Sequence, residues 1–227
     1  MKTGVLSSIK SKLVPDESRV RLVSFGLFKG LQFEINLRSQ TQLYLGLWER
    51  ETYRAIRRAA RTAEWFVDIG AGKGELCVFF ATSQRIKRVV AIEPDDVETV
   101  TLRANLTYNN IDLRRVEILR KFVSTKKDAD HIEIDQLDLD RVVRGLIKID
   151  VDGLELDVLQ SGKSLFSEGN VDVLVETHSF ELEKSCIEWL QVRGYNCNII
   201  RNAWWRSIIP EQRPIPHNRW FFATRGA

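Results

Sequence analysis

Acidic side chains stand at the ends of four separate apolar runs in this chain, and beside them stand a lysine, a histidine and a cluster of glycines. The first run ends in Asp68-Ile69 and passes directly into Gly70-Ala71-Gly72-Lys73-Gly74-Glu75. Glycines at this spacing let the backbone approach a ligand more closely than a Cβ would allow, and a helix opening after them aims its first amides the same way. The pattern is G-x-G-x-G, with Glu75 where the dinucleotide fingerprint carries its third glycine. An acid there disfavours a pyrophosphate and suits a ligand bearing a sulfonium and an amino group. The second run, Val89-Val90-Ala91-Ile92-Glu93, ends in an acid about 20 residues further on, where a carboxylate can accept both hydroxyls of an adenosine ribose. The cofactor contacts expected are Asp68, Gly70, Ala71, Gly72, Gly74, Glu93, Pro94 and, from a later run, Asp150. The bland alternative makes Asp68 and Glu93 solvated strand ends.

The later runs carry Lys148, Asp150, Asp152 and Glu155, then Glu176 and His178. Strand alternation puts Lys148 and Asp150 on one face, and Glu176 and His178 likewise, so all four can share one side of a cleft. They are the catalytic candidates. His178 is the side chain best tuned to take a proton near neutral pH, and a neighbouring carboxylate can orient it. A charge buried there without a partner is costly, so Lys148 and Asp150 are expected to pair. Asp150 and His178 are expected to act as base without a metal; the alternative is Mg²⁺ or Mn²⁺ held by Asp150, Asp152 and Glu176. Asp152 and Glu155 also read as a helix capping box, as do Asp95 and Glu98. His131 and His217 have weaker cases, although His217-Asn218 could enter the cleft from a loop.

Such residues need a sheet to hold them. Apolar runs at 65–69, 89–93, 116–124, 146–150, 171–176, 195–200 and 220–224 read as strands buried on both faces, with helical stretches at about 74–83, 96–109, 153–161 and 180–193 between them. This is the βαβ rhythm of a doubly wound parallel α/β sheet, in which ligands sit beyond the carboxyl ends of the strands. Upstream, residues 16–40 suggest a β-hairpin broken by Gly26 and Gly30, and Trp48–Ala60 reads as a helix. We divide the chain into an extension of the same domain, 1–60, and the main domain, 61–227. The segment 202–218 carries Trp204, Trp205, Arg206 and Arg213 among prolines, and with Trp48-Glu49 it is the expected acceptor side of the cleft.

With 227 residues, 44% of them hydrophobic, the chain can bury one sizeable core. No stretch approaches the roughly 18 apolar residues of a membrane span, and Met1–Pro15 lacks an apolar signal core, so a cytoplasmic protein is expected. Cys77, Cys186 and Cys197 fall within apolar segments and read as reduced and structural. The net charge of +3 hides an asymmetry: residues 1–61 carry twelve Lys and Arg against five acids, and the segment 62–200 is acidic. Basic flanks could gather an anionic partner, or form a solvated face.

The chain resembles the FkbM family of S-adenosylmethionine-dependent methyltransferases. The resemblance rests on Val67-Asp68-Ile69-Gly70-Ala71, Ala91-Ile92-Glu93-Pro94-Asp95, Asn105-Leu106 with Asn109, Ile147-Lys148-Ile149-Asp150-Val151-Asp152-Gly153-Leu154-Glu155, Leu174-Val175-Glu176-Thr177-His178 and the upstream Tyr44-Leu45-Gly46-Leu47-Trp48-Glu49. It implies a class I, Rossmann-like sheet of seven mostly parallel strands with the last, Trp220–Thr224, antiparallel. It also implies S-adenosylmethionine as cofactor, touching Asp68, Gly70 and Glu93. The chain departs from the family in Gly72, where Asn is frequent, and in Asp152, where Glu is. The acid that many methyltransferases place near adenine after the third strand is missing from Lys121-Phe122-Val123-Ser124. The function expected is O-methylation of a small-molecule or glycan hydroxyl. The rivals are an RNA ribose methyltransferase, with nucleic acid as a less favoured partner, and a non-catalytic adenosine-binding domain.

Overall fold

The computed structural model describes residues 14–202 and 217–225. Its centre is a seven-stranded sheet of order β10-β11-β9-β8-β3-β4-β5. The strands are β3 (Trp65–Ile69), β4 (Arg88–Ile92), β5 (Val116–Leu119), β8 (Gly145–Ile149), β9 (Val171–Thr177), β10 (Tyr195–Ile200) and β11 (Arg219–Arg225). β3 pairs in parallel with β4 and β8, and β11 runs antiparallel to both β9 and β10. The helices are α1 (Leu37–Tyr44), α2 (Tyr53–Ala60), α3 (Glu75–Ala81), α4 (Asp96–Tyr108), α5 (Glu155–Ser161), α6 (Lys163–Glu168) and α7 (Phe180–Gln191). β3, β8 and β9 are buried at every position, as strands covered on both faces must be.

Two apolar cores lie on the two faces. Phe66, Leu146, Leu174 and Trp220 join one of them, while Trp65, Val67, Ile69, Ile147 and Val173 join the other. Alternation along the strands sorts them. The even-numbered Asp68, Lys148 and Glu176 continue the face of Phe66, Leu146 and Leu174, so the first core gives way to polar groups at its upper edge.

The expected hairpin forms between β1 (Ser18–Leu22) and β2 (Gln32–Asn36). Two amides on α4 fasten it to the main sheet's first helical layer. Asn105, fully buried, accepts from the Glu34 N–H at 2.9 Å and donates to the Lys73 carbonyl at 2.9 Å. Asn109 accepts from the Gln32 N–H at 2.9 Å and donates to the Gln32 carbonyl at 2.6 Å. A buried amide that makes these bonds is satisfied; one that lost them would be costly.

Three details differ from the sequence reading. α1 occupies a stretch for which no helix was expected, its first residues falling at the end of the segment read as a hairpin; Asn36 caps it by accepting from the Arg38 N–H. The helix expected over Trp48–Ala60 begins later, at Tyr53, after a 3₁₀ turn, because Glu49 adopts a left-handed conformation at φ 46°. The run 116–124 divides at Arg120-Lys121: β6 (Phe122–Val123) leaves the sheet and pairs with β7 (His131–Ile132). No helix among the described residues is long and apolar enough to cross a membrane.

Candidate functional site

At the carboxyl end of β3 the chain turns through Gly70, with φ +73°, and a Cβ there would lie 2.0 Å from the Asp150 carbonyl oxygen. Only glycine permits that approach, and it sets the first turn against the end of β8, where Asp150 N–H donates to the Ile69 carbonyl at 3.0 Å. Beyond it, the position a Cβ of Gly72 would take has no atom within 4 Å, which leaves open space above the turn. The Gly72 N–H donates to Glu93 Oε2 at 2.8 Å, and the Asp95 N–H donates to Oε1 at 3.0 Å. Glu93 is thereby fixed, half-buried, at the mouth of β4. Asp95 caps α4 by accepting from the Val97 and Glu98 N–H groups, which realises the carboxylate half of the capping box expected with Glu98. Half-buried Glu75 follows the turn, and its surroundings push its carboxyl up to about 7.

Asp68 points inward. It is 1% exposed, accepts from the Cys77 thiol at 3.3 Å and lies 3.2 Å from Lys148 Nζ. Lys148 Nζ donates to the Gly70 carbonyl at 2.7 Å and lies 3.4 Å from Asp150 Oδ2. The ammonium is thus hydrogen-bonded to one carbonyl and ion-paired with two carboxylates. The expected Lys148–Asp150 pair is present, and Asp68 makes it a triad. Burial would discharge the lysine, but Asp68, Asp150 and Glu49 outweigh burial and raise its pKa. It stands across the register from Asp68 and locks the floor of the cleft.

Asp150, Glu176 and His178 come together at the ends of β8 and β9. One ligating atom from each lies within 4.8 Å of the others. His178 Nε2 lies 3.9 Å from Asp150 Oδ1, 3.9 Å from Glu176 Oε2 and 3.5 Å from Asp152 Oδ1. Its Nδ1 is 2.5 Å from Glu155 Oε1, and Glu155 is fully buried. A carboxylate in this contact accepts, so Nδ1 carries the proton. Burial opposes charge on His178, but Glu155, Asp150 and Asp152 prevail and raise its pKa. Burial, the Asp150 and Glu49 charges, and a hydrogen bond with Asp150 push the Glu176 carboxyl up to about 11, so it holds a proton at neutral pH.

The partnership of Glu155 with His178 is what the sequence reading missed. Glu155 was read as the closing residue of a capping box, but Leu154 stands at the cap position and no side chain caps the helix. The signal was available: Glu155 shares the buried face of α5 with Val158 and Leu159, at helical spacing. Glu49 is the other contributor from outside the central strands. Its charge reaches Lys148 and Glu176, and upstream of its turn Gly26 and Gly46 approach closely, where a Gly26 Cβ would lie 2.7 Å from the Gly46 Cα. Trp48 packs on Phe28, with ring centroids 6.0 Å apart.

The remaining histidines stand elsewhere. His131 pairs with Asp128 at 2.6 Å, and His217 faces Glu183 at 3.6 Å instead of entering the cluster. Buried Glu183 also accepts from Arg219 Nε at 2.5 Å, which anchors the start of β11. The aromatic and basic residues Trp204, Trp205, Arg206 and Arg213 lie outside the described residues; at the borders of that segment, Asn202 donates to the Asn218 carbonyl at 2.8 Å. The three cysteines are free thiols, and burial pushes Cys186 up to about 12 and Cys197 up to about 11.

Comparison with known proteins agrees with this architecture. No curated protein matches the sequence. Among solved structures, methyltransferase FkbM from Methylobacillus flagellatus KT is similar at 20% identity and a TM-score of 0.57 over 70% of this chain, which spans 43% of that protein's length. An rRNA methylase from Streptococcus thermophilus is similar at 11% identity and a TM-score of 0.54, covering 79% of this chain and 98% of the other. A SAM-dependent O-methyltransferase from Thermotoga maritima is similar at 16% identity and a TM-score of 0.51, covering 77% and 65%. The family model of the methyltransferase FkbM domain matches residues 100–197. The fold is that of a class I methyltransferase, and the resemblance to the FkbM family is borne out over residues 100–197.

Proposed function

We propose that this chain transfers a methyl group from S-adenosylmethionine to a hydroxyl of a small molecule or glycan. The observation that carries the reading is the backbone contact of Gly70 with Asp150, which sets the open glycine turn and the acid–histidine cluster side by side. A cofactor held by the turn would therefore be bound beside groups that can take a proton. The residues fit the cofactor: Gly72 leaves room above the turn, and Glu93 is held by two amides with lone pairs remaining for a ribose diol.

Bound S-adenosylmethionine supplies a methyl on a sulfonium; the S–C bond breaks as the O–C bond forms, leaving a thioether. The protein's part is orientation and proton removal. With no ion at the cluster, Asp150, reachable at 18% side-chain exposure, and His178 are the groups placed to receive the hydroxyl proton. Lys148 keeps Asp150 aimed, and Glu155 fixes the ring of His178. A nucleic-acid acceptor is the second reading, favoured by the exposed Arg54, Arg57 and Arg58 of α2, which follows directly on the turn carrying Glu49.

Calorimetry tests the reading. The wild type should bind S-adenosylmethionine and its demethylated product, and Glu93→Ala should lose two charge-assisted hydrogen bonds worth about 1.5–3 kcal/mol each, weakening both ligands at least tenfold. Equal affinity of the two proteins would remove the ribose assignment, and tighter binding of NAD would remove the class. Filter binding to RNA separates the two acceptor readings.

A further inference from the structure

Asp150, Glu176 and His178 also have the arrangement of a divalent-cation site, and we propose that they bind one, in the class of Mn²⁺, through Asp150 Oδ1, a Glu176 oxygen and His178 Nε2. Three independent features support this. The first is spacing. Ligand atoms about 2.0–2.3 Å from one ion, at tetrahedral or octahedral angles, stand about 3.0–3.7 Å apart. The distances from His178 Nε2 to Asp150 Oδ1 and to Glu176 Oε2, 3.9 Å each, are too long for hydrogen bonds and need only a few tenths of an ångström of contraction about an ion.

The second feature is the imidazole itself. The His178 side chain is 7% exposed, and Nε2, aimed at the carboxylates, makes no hydrogen bond among the described residues. Its other nitrogen is engaged by Glu155, a residue in the position that an outer carboxylate takes behind a metal-bound histidine, where it fixes the tautomer and presents the Nε2 lone pair. The third is charge. Lys148 is the one buried lysine among the described residues, and its single charge faces two carboxylates, Asp68 and Asp150, while Glu155 lies fully buried behind His178; Asp150 Oδ1, on the side away from the lysine's 3.4 Å contact with Oδ2, lies 3.9 Å from His178 Nε2. A dication offsets that excess of acid where water is excluded. Asp152, at 70% side-chain exposure, lines the open side and marks the entrance. Two carboxylates with one imidazole suit Mn²⁺ better than the all-oxygen preference of Ca²⁺.

The role of such an ion rests on the methyltransferase reading: it would lower the pKa of an acceptor hydroxyl that reaches it, with Asp150 and His178 then serving as its ligands in place of proton acceptors. The site itself does not depend on that reading. The test uses the full chain, stripped with chelator and titrated with MnCl₂ while the electron paramagnetic resonance signal of free Mn²⁺ is followed. One equivalent should bind with a Kd in the micromolar range. Spin-echo modulation of the loaded protein should show a directly coordinated imidazole nitrogen, a readout that needs no variant. His178→Gln and Asp150→Asn should each weaken binding at least tenfold, and Glu155→Gln about 10–100-fold, with circular dichroism confirming that each is folded. Binding weaker than about 1 mM, no imidazole nitrogen, or unchanged binding in folded His178→Gln would overturn the site. Calorimetry with S-adenosylmethionine on the same stripped sample separates the outcomes: cofactor binding without Mn²⁺ removes the ion alone, and Mn²⁺ binding without cofactor removes the methyltransferase reading alone.

Discussion

The two halves of the cleft are made of different material. On the side of β3 and β4, the work falls to backbone: a turn through Gly70 and Gly72, two amides on Glu93, and the first turn of α4. On the side of β8 and β9, it falls to ionisable side chains, most of them buried, whose protonation depends on one another. The donors of the backbone half are amides, which do not titrate, and a group beside them that does is Glu75, whose carboxyl burial pushes up to about 7. The side-chain half is held together against the cost of burying charge, so it stores free energy that a ligand or a pH change can release. The fold thus provides a fixed cradle next to a responsive one.

Gly70 belongs to both halves, and replacing it should have the largest effect. In Gly70→Ala the new Cβ meets the Asp150 carbonyl at 2.0 Å in a left-handed conformation. Overpacking and backbone strain together cost about 2–5 kcal/mol. Thermal melting should show that loss, and calorimetry of whatever folded protein remains should show weakened S-adenosylmethionine binding. A variant that melts like wild type would mean that the two halves are not locked together through this contact.

The same division explains what could be read from sequence. Glycine spacing and strand-end acids report on backbone geometry, so the turn, Glu93 and the seven strands of the sheet were legible. Asn105 and Asn109 were visible as residues, but their role required knowing that β2 lies across α4, a contact between positions 71 and 77 residues apart. Glu155 with His178 failed to emerge for a related reason. A D-x-x-E pattern before an apolar run satisfies a local rule, and the tertiary partner of Glu155 lies 23 residues away, just past the end of β9. The left-handed Glu49 carries no local signal, since a non-glycine residue at φ 46° is not announced by its own type.

Glu176 isolates the responsive half. Its folded-state pKa lies above its unfolded value, at about 11 against 4.5. Above pH 4.5 the unfolded chain gives up this proton while the folded chain keeps it, so the group's contribution to stability falls as pH rises toward 11. Glu176→Gln removes that dependence. In metal-free buffer the variant and wild type should melt alike near pH 4.5, and the variant should gain about 2 kcal/mol or more by pH 8, visible as a rise in Tm. S-adenosylmethionine affinity should change less than threefold, because Glu176 lies on the other half. Parallel pH profiles would show that the excess acid is dispersed by solvent and that the site stores nothing.

The smallest effect should come from Asp95, which touches only the backbone half. Its side chain caps α4 through the Val97 and Glu98 amides, and its own N–H steadies Glu93. Asp95→Ala deletes the cap, costing about 1 kcal/mol of stability, and leaves the N–H in place. If Glu93 is held by backbone, as the comparison requires, its orientation survives because the Gly72 amide still donates to Oε2 and residue 95 still donates to Oε1. Cofactor affinity should therefore stay within threefold of wild type while the melting temperature drops by a few degrees. Asp95→Asn, which can still cap, should recover most of the stability. A tenfold loss of affinity in Asp95→Ala, rescued by Asp95→Asn, would show that Glu93 depends on the side-chain cap, and the cofactor half would then be no more rigid than the acid cluster it faces.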